Sequence, residues 1–553
     1  MMNRATLKRT FSNPAKVFHH FLVISVAIAS LCLAACSTTI GTTKSATTVV
    51  PIANAGFAQA SADNATQPDG WNKVPPAAQT TIDKAVKWHG NSSVLITRPT
   101  EVPFAGISQS IPALAWRGKI LVLRAKLKSE EITMGNNGLW LRGDGDGRVG
   151  LQFASTYGQP LRGNTDWVTR QLVIQVADKA DMLVFGATMA SEGKLWVDAV
   201  ELVEFSPSEN PAMEPAAKTY LEDAISEVRA VALKADTVDW TQITRLAYAL
   251  SDGAAVPADT HDAVRLVLRS LNDGHSFLVP PSEAKEIARN KAVDDFKIAS
   301  TNLAGIGYVS VPGYTGDQQS RRTAFANEMQ QRIATVQAAG ACGWVVDLRG
   351  NTGGNMYPML AGLAPLLGDG ILGSFVSPKY SRAWYIRDGR AGSEGESIAA
   401  ARPLAALSGG TGSIAVLTGP MTASSGEAVA ISFTGRPNTR SFGQSTRGAS
   451  TANSTVRLSD SAVMAITTAT MADRNGKRYG GKIEPDEAVA TGLKGVALAD
   501  DLARFAGTLS SYFKTALRLS QLSCFSAPSM GRLPMQRSVV RPAWAGSSRA
   551  YNK

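Results

Sequence analysis

The chain has 553 residues, of which 44% are hydrophobic and 18% charged, a composition that excludes disorder throughout and predicts two or three globular domains with large cores. Its formal net charge of +11 lies at the two ends, since residues 1–35 carry four Lys and Arg residues, residues 514–553 carry seven, and neither segment has an acidic residue. The body between them is neutral, so composition gives no indication of nucleic acid as a partner.

Residues 1–35 have the organisation of a targeting signal. A basic start is followed by an apolar core over residues 21–33, which is too short to span a membrane comfortably. The end, Leu33-Ala-Ala-Cys36, resembles the lipobox of bacterial lipoproteins. That resemblance implies cleavage before Cys36, acylation of its thiol and, with Ser37 next, lipid anchoring in the cell envelope at the outer membrane. An ordinary secretory signal is the alternative.

A β-sandwich is predicted over residues 69–206, after a Ser- and Thr-rich segment, 36–68, that is typical of a flexible tether. Short alternating segments separated by Gly, Asn and Asp are the pattern of such a fold. We predict strands over 119–126, 138–142, 167–174, 182–186 and 194–203. The last one resembles the final strand of jelly-roll, carbohydrate-binding-like modules. This implies that an exposed Trp140 or Trp167 would stack on a glycan, whereas core tryptophans are the alternative.

Helices and then an α/β body are predicted next. Prolines in 206–218 mark a linker, and apolar residues at helical spacing predict a helical bundle within residues 207–290. From 291 to 513 strands alternate with helices, which favours parallel βαβ units. The basic segment 514–553 loses all periodicity, and we expect it to be disordered.

Two stretches of the α/β body follow one scheme, a buried strand that ends in a small-residue turn. The first runs from Gly343 into Gly353-Gly354, and the second from Ser413 into Thr-Ala-Ser424-Ser425 and an alanine-rich helix. Unpaired N–H groups and the dipole at a helix start stabilise negative charge on an alkoxide or an oxyanion. Taken singly, each stretch also fits a capping serine or an ordinary turn.

A serine nucleophile needs a base, and histidines are scarce in this chain. After removal of the signal only His89, His261 and His275 remain. His89 falls in the predicted sandwich and His261 at a helix start, whereas His275 lies in a loop that leads into the α/β body. His275 is therefore the predicted base.

Five motifs in this order resemble the S41 serine peptidases, the family of the C-terminal processing protease and tricorn. They are Asn272-Asp-Gly-His-Ser276, Asp347-Leu-Arg-Gly-Asn-Thr-Gly-Gly354, Thr422-Ala-Ser-Ser-Gly-Glu427, Ser441-Phe-Gly-Gln-Ser-Thr446 and Glu484-Pro-Asp486. The resemblance covers residues 215–505 but not the sandwich. It implies a ClpP/crotonase-like α/β fold and hydrolysis of polypeptides through an acyl-enzyme.

Carried over position by position, the resemblance makes Ser424 the nucleophile and the N–H groups of Ser425 and of Gly353 or Gly354 the oxyanion donors. The processing proteases use a lysine base where this chain has Arg447-Gly-Ala. The tricorn-like branch uses a histidine, which corresponds to His275, together with an orienting glutamate, for which Glu484 is the candidate. The segment between Pro280 and Gly305 is too short for a PDZ domain.

The expected function is thus that of a lipid-anchored serine endopeptidase of the bacterial envelope. Two alternatives remain open. One is a non-catalytic surface lipoprotein that binds glycan or cell-wall material through the sandwich, and the other is an esterase that uses the same serine. No cofactor is indicated, and no CxxC or His-rich spacing indicates a metal.

Overall fold

The computed structural model describes residues 48–133, 135–157, 159–205, 212–289, 296–303, 305–316, 318–394, 396–400 and 412–489. The predicted signal segment, Cys36 and the predicted disordered tail lie outside these residues.

Two antiparallel sheets form the N-terminal part of the chain. Their inner faces meet in one apolar cluster that includes Leu123 and Phe185, as in a β-sandwich. All five strands that the sequence predicted here are confirmed. One sheet has the order β11-β8-β13-β6-β5, with β1 also pairing with β13, the other has the order β10-β9-β12-β7-β4, and β2 pairs with β3. The strands are β1 (Thr48–Val49), β2 (Ala60–Ser61), β3 (Asn64–Pro68), β4 (Asn72–Val74), β5 (Gln79–Asp83), β6 (Ser93–Thr97), β7 (Ala105–Pro112), β8 (Ile120–Ile132), β9 (Asn137–Gly145), β10 (Arg148–Ser155), β11 (Gly163–Gln175), β12 (Ala180–Met189) and β13 (Lys194–Phe205).

The predicted tether 36–68 is wrong from residue 48 onward. Strand β1 pairs with β13, and Val50 and Phe57 are fully buried in the sandwich core. Phe57 also packs against Trp71, with ring centroids 5.2 Å apart. Burial of two large apolar side chains outweighs the polar composition of the surrounding residues.

Three α-helices follow the sandwich, but they do not form a bundle with a core of its own. Their apolar side chains join one cluster with the sandwich residues Val122 and Phe205 and with Met464 and Ile466 of the C-terminal part. Hydrophobic faces on both sides of the helices therefore join the sandwich to the rest of the chain. The helices are α1 (Pro215–Val231), α2 (Trp240–Leu250) and α3 (His261–Ser270), with 3₁₀ turns at Leu114–Trp116, Ala235–Thr237 and Pro257–Thr260.

The α/β body contains a sheet with the order β15-β16-β17-β22-β23-β26. All its pairings are parallel except that of β15 with β16. Helix α5 connects β16 to β17, which is the predicted βαβ unit, and buries Phe325, Met329 and Ile333 against the sheet. The elements are β15 (Ser300–Leu303), β16 (Ile306–Ser310), α5 (Gln319–Ala338), β17 (Gly343–Asp347), α6 (Met356–Gly362), α7 (Ala364–Leu367), β22 (Ile414–Thr418), α8 (Ser425–Phe433), β23 (Thr439–Gly443) and β26 (Glu487–Ala488).

A second, antiparallel sheet completes the body, with the order β14-β25-β18-β19-β20-β21 and β24 paired to β25. Within the described residues, no helix is long and apolar enough to cross a membrane. The remaining elements are β14 (Phe277–Val279), α4 (Pro281–Arg289), β18 (Gly370–Val376), β19 (Ser381–Arg387), β20 (Arg390–Ser393), β21 (Glu396–Ala400), β24 (Thr451–Arg457) and β25 (Val463–Asp473).

Candidate active site

The two stretches singled out in the sequence end at the same edge of the parallel sheet. Strands β17 and β22 are neighbours, with Asp347 opposite Leu417, so the loops that follow them lie side by side. Hydrogen bonds join the loops, among them those from the Thr422 hydroxyl to the Leu348 carbonyl at 2.8 Å, from the Ala423 N–H to the Asn351 carbonyl at 3.0 Å and from the Ser425 hydroxyl to the Gly354 carbonyl. The glycines and the serine are thereby held together.

Ser424 lies at the turn between β22 and α8 in a strained conformation. Its φ of 53° and ψ of −118° fall in a region that residues other than glycine rarely adopt. The turn places Ser424 at the N-terminus of α8, whose nine residues are all buried. A serine that caps a helix in the usual way has an extended backbone instead, so this conformation favours a functional interpretation of the residue.

Gly353 and Gly354 differ in what their N–H groups do. The Gly353 N–H donates to the Asn351 side-chain oxygen at 3.0 Å. A Cβ atom on Gly353 would lie 2.8 Å from the Ser424 Cβ and 3.0 Å from the Ala423 carbonyl oxygen, so only glycine fits against the serine. The N–H groups of Gly354 and Ser425 donate to no acceptor within the described part of the chain, and both residues line the cavity that contains Ser424.

Glu427 is a fully buried carboxylate beneath the serine, and the sequence analysis assigned it no role. It accepts hydrogen bonds from the Ser424 N–H at 2.8 Å, the Thr446 hydroxyl, the Gly448 N–H at 3.0 Å and the Ala449 N–H at 2.8 Å. Burial raises its pKa above the ordinary value, although these four bonds act in the opposite direction. The spacing Ser424-x-x-Glu427, a capping-box pattern, was the available signal.

His275 is held by the turn that precedes β14. Its backbone N–H donates to the Asp273 carboxylate at 2.9 Å, and its carbonyl accepts from the Asn453 side chain at 2.8 Å. Its ring Nδ1 lies 2.7 Å from the Thr451 hydroxyl oxygen. Burial lowers the pKa of His275 below its ordinary value, the Asp273 carboxylate opposes this shift, and the Arg447 guanidinium adds to it. The imidazole is therefore neutral near pH 7.

Ser424, Ser425, Gly354 and His275 line one cavity of about 810 Å³. Ser424 and His275 make no hydrogen bond with each other in the part of the chain that the structure describes. Catalytic hydrogen bonds are often long before substrate binds and tighten in the Michaelis complex. The shared cavity, rather than a formed contact, is what brings the two residues together.

Glu484, the candidate for orienting His275, does not do so. It accepts a hydrogen bond from the Ser445 hydroxyl and lines two other cavities, neither of which includes His275. The ring Nδ1 that an orienting group would contact is occupied by Thr451. Thr451 lies 176 residues beyond His275, on a different strand, so no local sequence signal could have identified it.

The other residues singled out in the sequence lie elsewhere. His261 is buried and its Nε2 lies 2.7 Å from the Asp460 carboxylate. Trp140 is only 7% exposed, so the alternative of a core tryptophan is confirmed for this residue, and it is not available to stack on a sugar. Within the described residues, no group of three or more His, Cys, Asp and Glu side chains is placed to hold a metal ion.

Residues 305–489 match the model of Peptidase family S41. The chain is 28% identical over 274 residues to the nisin-resistance protein of Lactococcus lactis subsp. lactis, an alignment that covers 48% of this chain and 80% of that protein. Among solved structures it is similar to a lipoprotein from Streptococcus agalactiae (TM-score 0.44, 23% identity, 55% of this chain and 97% of that one). It is also similar to the CBM22-1 xylan-binding domain of Paenibacillus barcinonensis Xyn10C (TM-score 0.22, 13% identity, 28% of this chain and 93% of that one).

The chain is a serine-type peptidase, a hydrolase. Through residues 305–489 it belongs to peptidase family S41.

Proposed function

We propose that this chain is a serine endopeptidase that uses Ser424 as nucleophile and His275 as general base. One observation carries the proposal: the strained serine at the start of α8 and the neutral imidazole of His275 open into the same cavity. Because Nδ1 of His275 faces Thr451, Nε2 is the ring atom left to take a proton from the serine.

The reaction follows the acyl-enzyme route. The Ser424 Oγ atom attacks the carbonyl carbon of the peptide bond while His275 Nε2 accepts its proton. The oxyanion of the tetrahedral intermediate is stabilised by the N–H groups of Ser425 and Gly354. Gly353 is the weaker candidate for this role, because its N–H already donates to Asn351. His275 then returns the proton to the leaving amine, and a water molecule, activated by the same imidazole, hydrolyses the acyl-enzyme.

Replacing the nucleophile tests the assignment. Ser424→Ala should reduce peptide hydrolysis at least about 10³-fold, and His275→Ala should be comparably severe. A fluorophosphonate should label Ser424 in the wild type, because only an activated serine reacts. Ser445→Ala is the matched control, since this serine bonds to Glu484 outside the cavity. Unchanged turnover by Ser424→Ala, or an unlabelled wild type, would refute the proposal.

The proposal has two further parts, the type of bond that is cleaved and one peptide to test as a substrate. Matched ester and amide substrates distinguish a peptidase from an esterase, since a peptidase must cleave the amide. The name of the Lactococcus relative makes nisin one peptide to include.

Lipid anchoring through Cys36 in the bacterial envelope is a separate proposal, supported by the Leu-Ala-Ala-Cys sequence. Metabolic labelling with a radioactive fatty acid tests it. The label should enter the wild type and be absent from Cys36→Ala, and equal labelling of the two would contradict it.

We also propose glycan binding by the sandwich, through Trp88 and Trp167 rather than Trp140. Trp88 is 36% exposed, and its ring lies edge-on to Trp167 with centroids 6.5 Å apart. Lys126 lies over the Trp88 ring at 4.2 Å. Affinity electrophoresis in gels that contain xylan tests this: migration should be retarded for the wild type and restored by Trp88→Ala. Equal mobility with and without xylan would contradict it.

A further inference from the structure

The cavity around Ser424 is positively charged. Its charged lining residues are Arg382 and Arg447, the titratable His275 also lines it, and no Asp or Glu side chain is part of the described lining. The other large lining side chains are apolar or aromatic, among them Phe277, Met356 and Met421. A substrate that enters this cavity therefore meets positive charge that the protein does not neutralise locally.

Neither arginine has an acidic partner in the described part of the chain. Arg447 is exposed and follows β23, and its backbone N–H donates to the Thr422 carbonyl at 2.9 Å, while its guanidinium forms no ion pair or hydrogen bond there. Arg382, also exposed, lies on β19, where its guanidinium is 5.9 Å from the centre of the Tyr380 ring, and it forms no ion pair either. The five N–H donors of each guanidinium are available for a carboxylate.

The neighbouring carboxylates do not neutralise the two arginines. Glu427 is fully buried and accepts its four hydrogen bonds from the protein. Asp273 accepts from the N–H groups of His275 and Ser276 and from the Ser276 hydroxyl, within its own turn. Glu394, next to the lining residue Ser393, makes no ion pair with Arg382 among the described residues. None of the three lines the cavity.

Arg447 is also close to the reacting groups, and its segment is held by the same buried carboxylate as the nucleophile. Its guanidinium acts electrostatically on His275. The residues on either side of it, Thr446 and Gly448, donate to Glu427, which also holds the Ser424 N–H. One buried carboxylate thus sets the position of the arginine segment relative to the serine. An anion bound by Arg447 would lie beside the bond to be cleaved.

We propose that Arg447, assisted by Arg382, selects substrates that carry a carboxylate close to the scissile peptide bond. This inference rests on the proposed peptidase function and names its substrate class. The carboxylate has two sources, an Asp or Glu side chain near the cleaved bond or the free C-terminus of a peptide that is cut close to its end. A bidentate contact with a guanidinium is stronger than a contact between neutral groups.

The experiment compares kcat/KM for one cleaved peptide and its variants. At each position around the cleaved bond the residue is Glu, Gln or Lys, and each peptide is made with a free and with an amidated C-terminus. We expect kcat/KM to decrease from Glu to Gln to Lys at one position, or to be higher for a free than for an amidated C-terminus. The preference should be at least about tenfold. The first result identifies an acidic side chain and the second identifies the C-terminal carboxylate.

Variants assign the preference to the arginine. In Arg447→Gln the Glu-to-Gln ratio, or the free-to-amidated ratio, should fall to near one, and in Arg447→Glu it should invert. The ratio is independent of any general loss of activity. Arg457→Gln is the matched control, because this exposed arginine at the end of β24 does not line the cavity, and it should keep the wild-type ratio.

Two outcomes would overturn the inference. One is equal cleavage of all the peptides by a wild type that a fluorophosphonate labels, and the other is a preference that survives in Arg447→Gln. A wild type that is not labelled would instead overturn the proposed peptidase function, so the two failures are distinguishable.

Discussion

The Nδ1 atom of His275 lies 2.7 Å from the hydroxyl oxygen of Thr451. Thr451 begins β24, and β24 pairs with β25, which in turn pairs with the strand that follows His275. A threonine thus occupies the place where many serine hydrolases have a carboxylate. Because a hydroxyl is neutral, it can fix the tautomer and the orientation of the ring without adding a charge that would raise the pKa of the histidine.

The first prediction concerns this contact. Thr451→Val keeps the shape of the side chain but removes the hydrogen bond, and we expect kcat/KM to fall about tenfold, the effect of one such bond. Thr451→Ser should restore most of the activity because it restores the hydroxyl. Steady-state kinetics on a peptide substrate measure both. If Thr451→Val cleaves as fast as the wild type, the ring is oriented by something else.

The second prediction concerns pH. A protonated His275 cannot accept the proton of Ser424, so kcat/KM should be lost as the pH falls through the pKa of His275, which burial holds below 6.5. In Arg447→Gln the lowering effect of the guanidinium is absent, and the acidic limb should move to higher pH. The profile of kcat/KM between pH 4 and 8 reports this pKa for the free enzyme. A limb that stays in place would show that Arg447 lies outside the electrostatic range of His275.

The third prediction concerns Gly353, which has a φ of 106°. In Gly353→Ala the added methyl group would contact the Ser424 Cβ and the Ala423 carbonyl, and the serine should be displaced. Since small displacements of catalytic groups are costly, we expect a loss of activity of about 10²-fold or more. Gly340→Ala is the matched control, because Gly340 also has a positive φ, 89°, but open space around it. Equal activity losses in the two variants would attribute the effect to backbone strain alone.

The fourth prediction concerns the buried carboxylate. Glu427→Gln should lower the free energy of unfolding by about 2–4 kcal/mol, because the amide nitrogen cannot accept the bonds of the donors that face it and each unsatisfied buried donor is costly. Urea unfolding measures the change. Peptidase activity should fall as well, since the Ser424 N–H and the Arg447 segment lose their common anchor. Unchanged stability would mean that the side chain repositions without cost. Glu484→Gln, which alters an exposed carboxylate outside the cavity, is the control.

Sequence patterns were sufficient where the physics is local. Alternation of apolar residues predicted the sandwich strands, because a half-buried strand exposes every second side chain. Helical spacing predicted α1, α3 and α5, and the two buried strands that end in small residues predicted the turns of Gly353 and Ser424. The scarcity of histidines led to His275.

Long-range packing could not be predicted from such local patterns. Residues 48–68 have a polar composition, yet Phe57 fills a space that only the folded sandwich creates. The same holds for α1, α2 and α3, whose apolar faces are covered by two different parts of the chain rather than by each other.

For this protein, the sequence by itself was sufficient to propose Ser424 as the nucleophile, His275 as its base and the family whose motifs they resemble, because each of these proposals depends on a motif of residues close together in the chain. Only the tertiary structure decided which group faces the imidazole, which glycine N–H is left to bind an oxyanion, and that Glu427 supports the serine from below. These are properties of side chains that meet across strands and loops far apart in sequence, and hydrogen-bond geometry at such distances is set by packing alone.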